Sequence, residues 1–597
     1  MAFHRTGRAH ARARRLASCT ALALASGLLL TGTAGTANAA DGTSTPTPDR
    51  TLTERVAPAE ERPQGQLPKK RNRLSTGTTE GTTSLGPTRH DFTGDGESDL
   101  LYRWTDGGYY LMRSENPTGE DTPFSLFGDS PGEMHKDVIP VGDITGDMRA
   151  DVLTLSPHGT LSLRDTYSDA SGANSVSSWS GRGWNIYNKV VSLGDVTGDR
   201  LVDVLARTPD GELYLYAGTG SQSAPFKARV KVGSGWHIYD QLVGTHDVNG
   251  DGIGDLYART PNGDLYFYAG SGNAAAPLKA RVKVGTSWHT YNQLIGIDDI
   301  TGDGRPELLA RTVSGAMYFY ETDAATGRPS TRYTLHTSGW NTAEHIAGSG
   351  GNPQTGKDTI LGLDRNGTLW GYYSRNNGTL TARDQWSDVG GWAGARVHYP
   401  SSLNSDGYAD LLEVYSGTLY NYLDYGAISL GRGWGAFNTL TGVGDLNGDG
   451  KGDLLARTSG GTLYLYRGNG QGTGFEGRTA VGSGWGVYNS LVGAGDITGD
   501  GRADLLARTS GGTLYLYAGT GNANAPFKAR VKVGTGWQTY SKLVAPGDIT
   551  GDGRADLLAV TSGGTLYRYI TTHTGTANPF TTRANMGTGW NTYTQLH

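Results

Sequence analysis

Aspartates recur along this 597-residue chain in a short pattern that can hold a hard cation. The pattern is D-x-T/N-G-D-G-x-x-D, as at Asp496, Thr498, Asp500, Gly501 and Asp504. Side-chain oxygens at positions 1, 3, 5 and 9, with the backbone carbonyl of position 7, can surround one ion. Carboxylate and carbonyl oxygens favour calcium, which takes roughly six to eight ligands in a flexible shell. Glycine at position 6 permits the bend that aims them inward. An EF-hand begins the same way but places Glu at position 12 between two helices. Here position 12, counted from Asp496, is Ala507, and the residues after Asp504 read as a strand. The competing reading is a series of Asx-turns with solvated acids. Three carboxylates within nine residues repel one another, which favours an ion.

The ligand set is complete at Asp91/Thr93/Asp95/Asp99, Asp247/Asn249/Asp251/Asp255, Asp445/Asn447/Asp449/Asp453, Asp496/Thr498/Asp500/Asp504 and Asp548/Thr550/Asp552/Asp556. Asp299/Thr301/Asp303/Glu307 ends on a longer acid, so altered geometry is expected there. Asp143/Thr145/Asp147/Asp151 and Asp195/Thr197/Asp199/Asp203 keep their acids but put Met148 and Arg200 at the glycine position, which counts against them. Ser402/Asn404/Asp406/Asp410 has lost the first carboxylate, and residues 350–358 nearly all of the pattern.

The loops start at Asp91, Asp143, Asp195, Asp247 and Asp299 at a spacing of 52 residues, and return at Asp445, Asp496 and Asp548. Such a period marks a repeat architecture. One unit reads as four short strands: Ser490 to Gly493 before the loop, Leu505 to Arg508 after it, Thr513 to Tyr517 beyond a turn, and Ala529 to Val533. The third strand carries leucines on one face and tyrosines on the other. A sheet buried on both faces suits a blade stacked between blades. The expected fold is all-β, a β-propeller of ten four-stranded blades; a linear β-solenoid is the alternative. No Gly-Trp segment precedes Asp91, and one stands at the end, Gly589-Trp590, so the C-terminal strand is expected to complete the first blade. Two tandem five-bladed rings, residues 86–349 and 350–597, with Trp340 to Ala347 closing the first, are favoured over one large ring closed by residues 589–597.

The loops DVNGDGIGDLYAR at 247–259 and DITGDGRADLLAR at 496–508 resemble FG-GAP, or VCBS, repeats, which line the calcium-binding blades of integrin α-subunit propellers and of secreted microbial proteins. The Gly-Trp-x-x-Tyr-x-x-Leu segments resemble five-bladed tachylectin-type lectin propellers. The resemblance covers about residues 86–597 and implies several structural calcium ions, held by the acids named above.

Residues 1–39 read as a signal peptide: arginines up to Arg15, an apolar run from Leu16 to Leu30, and Ala37-Asn38-Ala39 for cleavage. Cys19 lies in a lipobox-like Leu-Ala-Ser-Cys with no apolar region before it, which counts against a lipid anchor; export is expected, by the general or the twin-arginine route that Arg14-Arg15 admits, to the outside of the cell or its wall. Cys19 is the single cysteine, so no disulfide is available outside the cell. Residues 40–85, rich in Thr and Pro and with the basic run Lys69 to Arg73, read as a disordered linker. No later apolar run is long enough to span a membrane. The chain has 52 basic and 57 acidic residues, and acids gathered in loops point to cations, not nucleic acid.

A monomeric binding module is expected. Its partner is first a carbohydrate or cell-envelope polymer, stacked on Trp184, Trp236, Trp288, Trp434, Trp485, Trp537 or Trp590, although these rings serve equally as core. A protein-binding adhesion platform is the alternative. An enzyme, a hydrolase or lyase, is the third reading; it would need the off-repeat residues His135, His158, Arg164, Asp165, Asp364, Arg365, Asp384 and His398 to meet in one pocket. No nucleophile elbow, zinc-protease helix or phosphate loop accompanies them.

Overall fold

The computed structural model describes residues 47–597 apart from 54–56, 59, 64, 65, 69–88, 115–120, 127–133, 170, 171, 352–356, 358, 424, 425 and 573–577. The expected signal peptide, the basic run 69–73 and most of the worn loop 350–358 therefore lie outside the described residues. Among the described residues no helix is long and apolar enough to cross a membrane.

The repeat folds into antiparallel four-stranded sheets. In the unit around Asp504, strand Asp504–Thr509 pairs with Tyr488–Gly495 on one side and Leu514–Tyr517 on the other, and Val531–Gly534 completes the sheet. Leu514 and Leu516 are buried, and Tyr515 and Tyr517 are half-buried on the opposite face. Alternation along a strand therefore buries both faces. The first two sheets join edge to edge, Phe124–Ser125 running parallel to Ala173–Asn174.

Sheets follow one another through a repeated joint. A residue in the left-handed region, Gly536 at φ 87°, starts a 3-10 turn at Trp537–Thr539. The indole of Trp537 packs on Tyr569, 4.8 Å between centroids, and Arg508 of the preceding sheet donates to the carbonyls of Trp537 (3.1 Å) and Tyr540 (2.7 Å). The same joint recurs at Trp236 with Arg207, Trp288 with Arg259, Trp340 with Arg311 and Trp485 with Arg457. In the joint at Trp537 the arginine ties together two carbonyls, one of which, that of Trp537, also accepts from the N–H of Tyr540.

The joint also locates closure. The segment after Trp340 pairs back on the first sheet, Tyr102 opposite Ile346 and Arg103 opposite His345, with Trp340 against Tyr102 at 5.1 Å. The C-terminal strand Tyr593–Leu596 pairs with Thr359–Asp364, and Trp590 packs on Tyr372 at 4.6 Å. The expectation that residues 589–597 complete the first blade is therefore corrected. That place is taken by His345–Ile346, and the C-terminal strand completes the sheet of residues 359–385. Pairing thus returns on itself twice, in a first set of sheets up to residue 346 and a second set from residue 359.

Composition predicts nothing for residues 40–85 to bury, yet parts of 48–68 are held against both sets. Arg50 pairs with Glu413 (2.8 Å) and lies over Trp392. Thr53 N donates to Trp386 O, and Trp104 Nε1 donates to Glu60 O. Arg62 stacks over Tyr110, and Leu67 is 2% exposed in the apolar core beside Trp104. Single side chains fitted into prepared pockets do what the segment's low average hydrophobicity does not suggest.

Deleting residues 589–597 is expected to strip amide-exchange protection from Thr359–Asp364 and leave Leu100–Arg103 protected. Loss at Leu100–Arg103 instead would overturn the pairing described here.

Candidate metal centres

Each acidic loop is built by its own carboxylates. Gly94 and Gly96 donate their N–H groups to the two oxygens of Asp91, at 2.7 and 2.9 Å. The position-1 acids Asp143, Asp195, Asp247, Asp299, Asp445, Asp496 and Asp548 do the same. The position-9 acid ties the loop to its sheet: Asp504 Oδ2 accepts from Ile497 and Thr498, and Oδ1 from Gly519, 15 residues on. The position-5 acid accepts from position 7, Arg502 N to Asp500 Oδ1 and Arg554 N to Asp552 Oδ1, both at 3.0 Å. These are the bonds of an Asx-turn, and they leave acceptor capacity, since an ionised carboxylate offers about four lone-pair directions.

The two loops with a misplaced glycine keep the bend. Met148 and Arg200 adopt φ 72° and 65°, close to Gly96 at 82°. An L-residue there costs about 1–2 kcal/mol, and the loop retains its shape. Asp195, Asp199 and Asp203 have carboxylate oxygens within 4.8 Å of one another, as do Asp299, Asp303 and Glu307. Glu307 uses its extra methylene to stay in register: Ile300 N donates to it at 2.7 Å and Thr301 Oγ1 at 3.0 Å.

Among the described residues, three acids converge to that distance at 195 and 299, and not in the loops at 91, 247, 445, 496 and 548. The loops at 247 and 445 have asparagine at position 3. Their position-3 asparagines are engaged inside the turn: Asn249 Oδ1 accepts from Asp251 N at 2.9 Å, and Asn447 Oδ1 from Asp449 N at 2.8 Å. Asn447 also donates Nδ2 to Asp449 Oδ2 at 3.1 Å, while Asp449 Oδ1 accepts from Lys451 N at 2.9 Å. An amide or carboxylate oxygen that accepts one N–H keeps a further lone-pair direction, so these bonds, like those of the other loops, leave acceptor capacity.

Electrostatics tests the fit of a cation. Burial, and then neighbouring acids, push the position-9 carboxyls up: Asp151, Asp255 and Asp504 to about 7, Asp453 and Glu307 to about 8. Asp99 and Asp556 rise well above the ordinary range for the same reasons. In the first loop Asp99 Oδ1 is buried and makes no hydrogen bond, and Thr93 Oγ1 beside it is equally orphaned. The donor set is mostly hard oxygen, desolvated and mutually repelling, which suits a divalent ion. Basic side chains already stand at several position-5 acids, Lys227 at Asp199 (3.2 Å), Lys279 at Asp251 (3.0 Å) and Arg113 at Asp95 (2.6 Å).

The loops occupy two environments. A Cβ added at Gly96, Gly252 or Gly304, at position 6 in the first set, would meet nothing within 4 Å. In two loops of the second set the same position abuts the first set: a Cβ on Gly501 would lie 2.5 Å from Asn188 Cβ, and one on Gly450 2.4 Å from Pro157 O, whereas at Gly553 it would meet nothing within 4 Å. Loop carbonyls there accept from the first set. Asn185 Nδ2 donates to Gly448 O, Asn188 Nδ2 to Asp500 O and Asn292 Nδ2 to Thr550 O, at 2.8, 2.9 and 2.8 Å. Arg502 pairs with Asp210 and Arg554 with Asp240, both at 2.9 Å.

The other candidates fare differently. Trp184, Trp288, Trp434, Trp485, Trp537 and Trp590 are at most 9% exposed and Trp236 is more open. A tyrosine of the neighbouring strand covers each of these indoles, from Tyr216 on Trp184 at 4.3 Å to Tyr517 on Trp485 at 4.8 Å. These rings are joints between sheets and offer no open face for a sugar. The off-repeat residues do not meet. His135 contacts Tyr109, His158 contacts Ser405 between the sets, and Arg164 bonds Thr154 inside its sheet. Asp165 stands near Asp147, Asp364 caps a turn, Arg365 reaches Asn591 O and Asp384 accepts from Trp386. His398 is buried in the second set.

A cluster outside that list does form. His90, His246 and Asp298 occupy the position just before the first loop acid, which is glycine at Gly142, Gly194, Gly444, Gly495 and Gly547. Asp298 Oδ2 lies 3.2 Å from His90 Nδ1, and Asp298 Oδ1 3.6 Å from His246 Nε2 and 3.7 Å from Arg89 Nε. Arg89 also donates to Ser192 O and Gly296 O on inner strands of different sheets. Three departures at one repeat position were the signal, visible only when copies are aligned on the loop.

A family model for the FG-GAP-like repeat matches residues 195–258, 247–310, 445–507 and 496–559, two stretches in each set of sheets. Comparison with curated proteins gives no match. The matched segments begin on the acidic loops and run through the strands that flank them. The chain carries FG-GAP-like repeats over these residues, and its four-stranded antiparallel sheets are consistent with blades of a β-propeller.

Proposed function

We propose that this protein is a secreted, calcium-stabilised binding module of two five-bladed rings, presenting the open loop face of the first ring to a protein partner. FG-GAP repeats suggest a binding or adhesion module. The two returns of strand pairing support the ring count. The observation that carries the reading is the division of the loops: one set open, the other seated between the rings. Calcium would be held by the acids at positions 1, 5 and 9 with the oxygen at position 3. It would supply the charge that lets buried carboxylates stay ionised. A protein surface is favoured over a carbohydrate because the tryptophans that suggested sugar stacking are covered by tyrosines.

Calcium titration of chelator-stripped protein should show several ions bound, and EDTA should lower the melting temperature. Absence of bound calcium at millimolar concentration would sink the metal reading. The pH dependence has a definite sign. The unfolded carboxyls titrate near 4, whereas folded Asp255, Asp504, Asp453 and Glu307 titrate near 7 to 8. The folded state therefore holds protons that the unfolded state has released, and metal-free stability falls as pH rises from about 4 to about 8. Millimolar calcium should flatten that slope, and binding should release protons, read as buffer-dependent heats of titration.

The seam sorts the sites. Asn188→Ala and Asn292→Ala are expected to weaken calcium binding several-fold in the loops at 496 and 548 and to leave those at 91 and 247 unchanged. Equal weakening of both classes, or of neither, would remove the link between seam and loops.

A further inference from the structure

The segment Pro48 to Thr53 belongs to no sheet, yet it is bound beside the edge strand Asp384–Gln385 of the second set. Its main chain is held at two points: Thr53 N donates to Trp386 O at 3.0 Å, and Trp392 Nε1 donates to Thr51 O at 3.2 Å. Alternate side chains take different partners, as an extended chain requires. Thr51 Oγ1 donates to Asp388 Oδ2 at 2.8 Å and Thr53 Oγ1 to Gln385 O at 2.9 Å. Leu52 packs on the apolar cluster that contains Trp386, Trp392 and Tyr422. Arg50 enters a pocket shaped for a guanidinium. Its Nη2 and Nε lie 2.8 and 3.2 Å from Glu413 Oε1, its Nη1 donates to Gly391 O at 2.7 Å, and it stands over the Trp392 ring at 5.3 Å. Glu413 is 1% exposed, and Tyr422 Oη bonds its other oxygen.

The pocket belongs to the second set, and its occupant comes from 363 residues earlier in the chain. A buried carboxylate needs its cation, since removing one partner of such a pair leaves an uncompensated charge. A carboxylate, a carbonyl and an aromatic face together select arginine over lysine. Main-chain bonds with pockets for alternate side chains are how sheet edges recognise peptides. We propose that this edge is a peptide-binding site for the pattern arginine-x-leucine, filled in the free protein by residues 50–52 and taken in a complex by the same pattern on a protein partner. The site uses neither the open loops of the first set nor their ions, so it stands or falls apart from the calcium reading. Residues 48–53 pair in no sheet, so their release breaks no strand ladder and costs less than opening a blade. A tethered segment competes at an effective concentration on the order of millimolar. A partner that displaces it must therefore bind the edge more tightly than the segment does.

The test uses the full chain with calcium present and, as probe, a synthetic peptide of residues 48–53 capped at both ends. Arg50→Ala and Leu52→Ala each loosen the chain's own segment, and calorimetric titration of either variant should give saturable binding. The parent, whose site is filled, should bind at least about tenfold more weakly. Arg50→Lys or Leu52→Ala made in the peptide should each weaken its binding to the Arg50→Ala chain at least about tenfold. Adding Glu413→Gln to that chain should abolish binding. Arg50→Ala leaves Glu413 without its cation, so its melting temperature should fall and the peptide should restore it. No saturable binding to either variant, equal affinity in the parent, or equal affinity for the arginine and lysine peptides would overturn the proposal. Parent dimers that Arg50→Ala dissolves would also overturn it, by seating the segment on a second copy.

Discussion

A four-stranded sheet with leucines on one face and tyrosines on the other has no side that can face water. The strands here are about five residues long, so each sheet has too small an area to be stable alone and must be covered on both sides by its neighbours. A row of such sheets leaves two uncovered ends unless it bends until the last covers the first. The joint that links consecutive sheets, an indole on a tyrosine with an arginine on two carbonyls, provides the coupling. It recurs at the returns. Trp340 meets Tyr102 and Trp590 meets Tyr372, so closure uses the contact that propagation uses.

Closure in two steps has a consequence for the loops. All of them sit at the same end of their sheets, before the second strand of each unit. Where the two sets meet, loops of one set are turned toward the other. That set is the second, and its loop carbonyls accept from Asn188 and Asn292 of the first. The loops themselves are nearly identical in sequence, DVNGDGIGD at 247 and DLNGDGKGD at 445. What separates them is burial: in the seam desolvation pushes up the position-1 acid Asp445, and Asp453 rises to about 8 against about 7 for Asp255. Chemistry that is uniform along the chain becomes two kinds of site through packing.

Much of this was legible in the residues. The loop spacing and two-faced third strand pointed to the four-stranded sheets, and the loop motif to the FG-GAP-like repeats. The acids that converge include Asp195, Asp199 and Asp203, although Arg200 argued against that loop, because a left-handed arginine strains the backbone without breaking the turn. At 445 the motif shows an oxygen at position 3 and not that the same amide also donates its nitrogen to Asp449. The role of Trp590 was legible only in part. It reads as a closing segment, but every sheet offers it the same tyrosine, so its partner depends on which sheet lacks an inner strand. Residues 48–68 escaped because their average composition is polar, while Arg50, Arg62 and Leu67 find individual pockets that belong to distant parts of the chain. The tryptophans misled for another reason. Aromatic and polar neighbours describe a sugar platform and an inter-sheet joint equally well until exposure is known.

The polar groups at the inner strands follow from the same geometry. A repeat position that faces the middle of a ring is brought together from several sheets at once, so substitutions there act as a set although they lie far apart in sequence. His90, His246 and Asp298 meet for this reason, and their charges are balanced within the group. His398 and His597 meet by the same rule. Bringing inner strands together concentrates whatever they carry, so the polarity in the middle of a set of sheets is decided by residues that lie far apart in sequence.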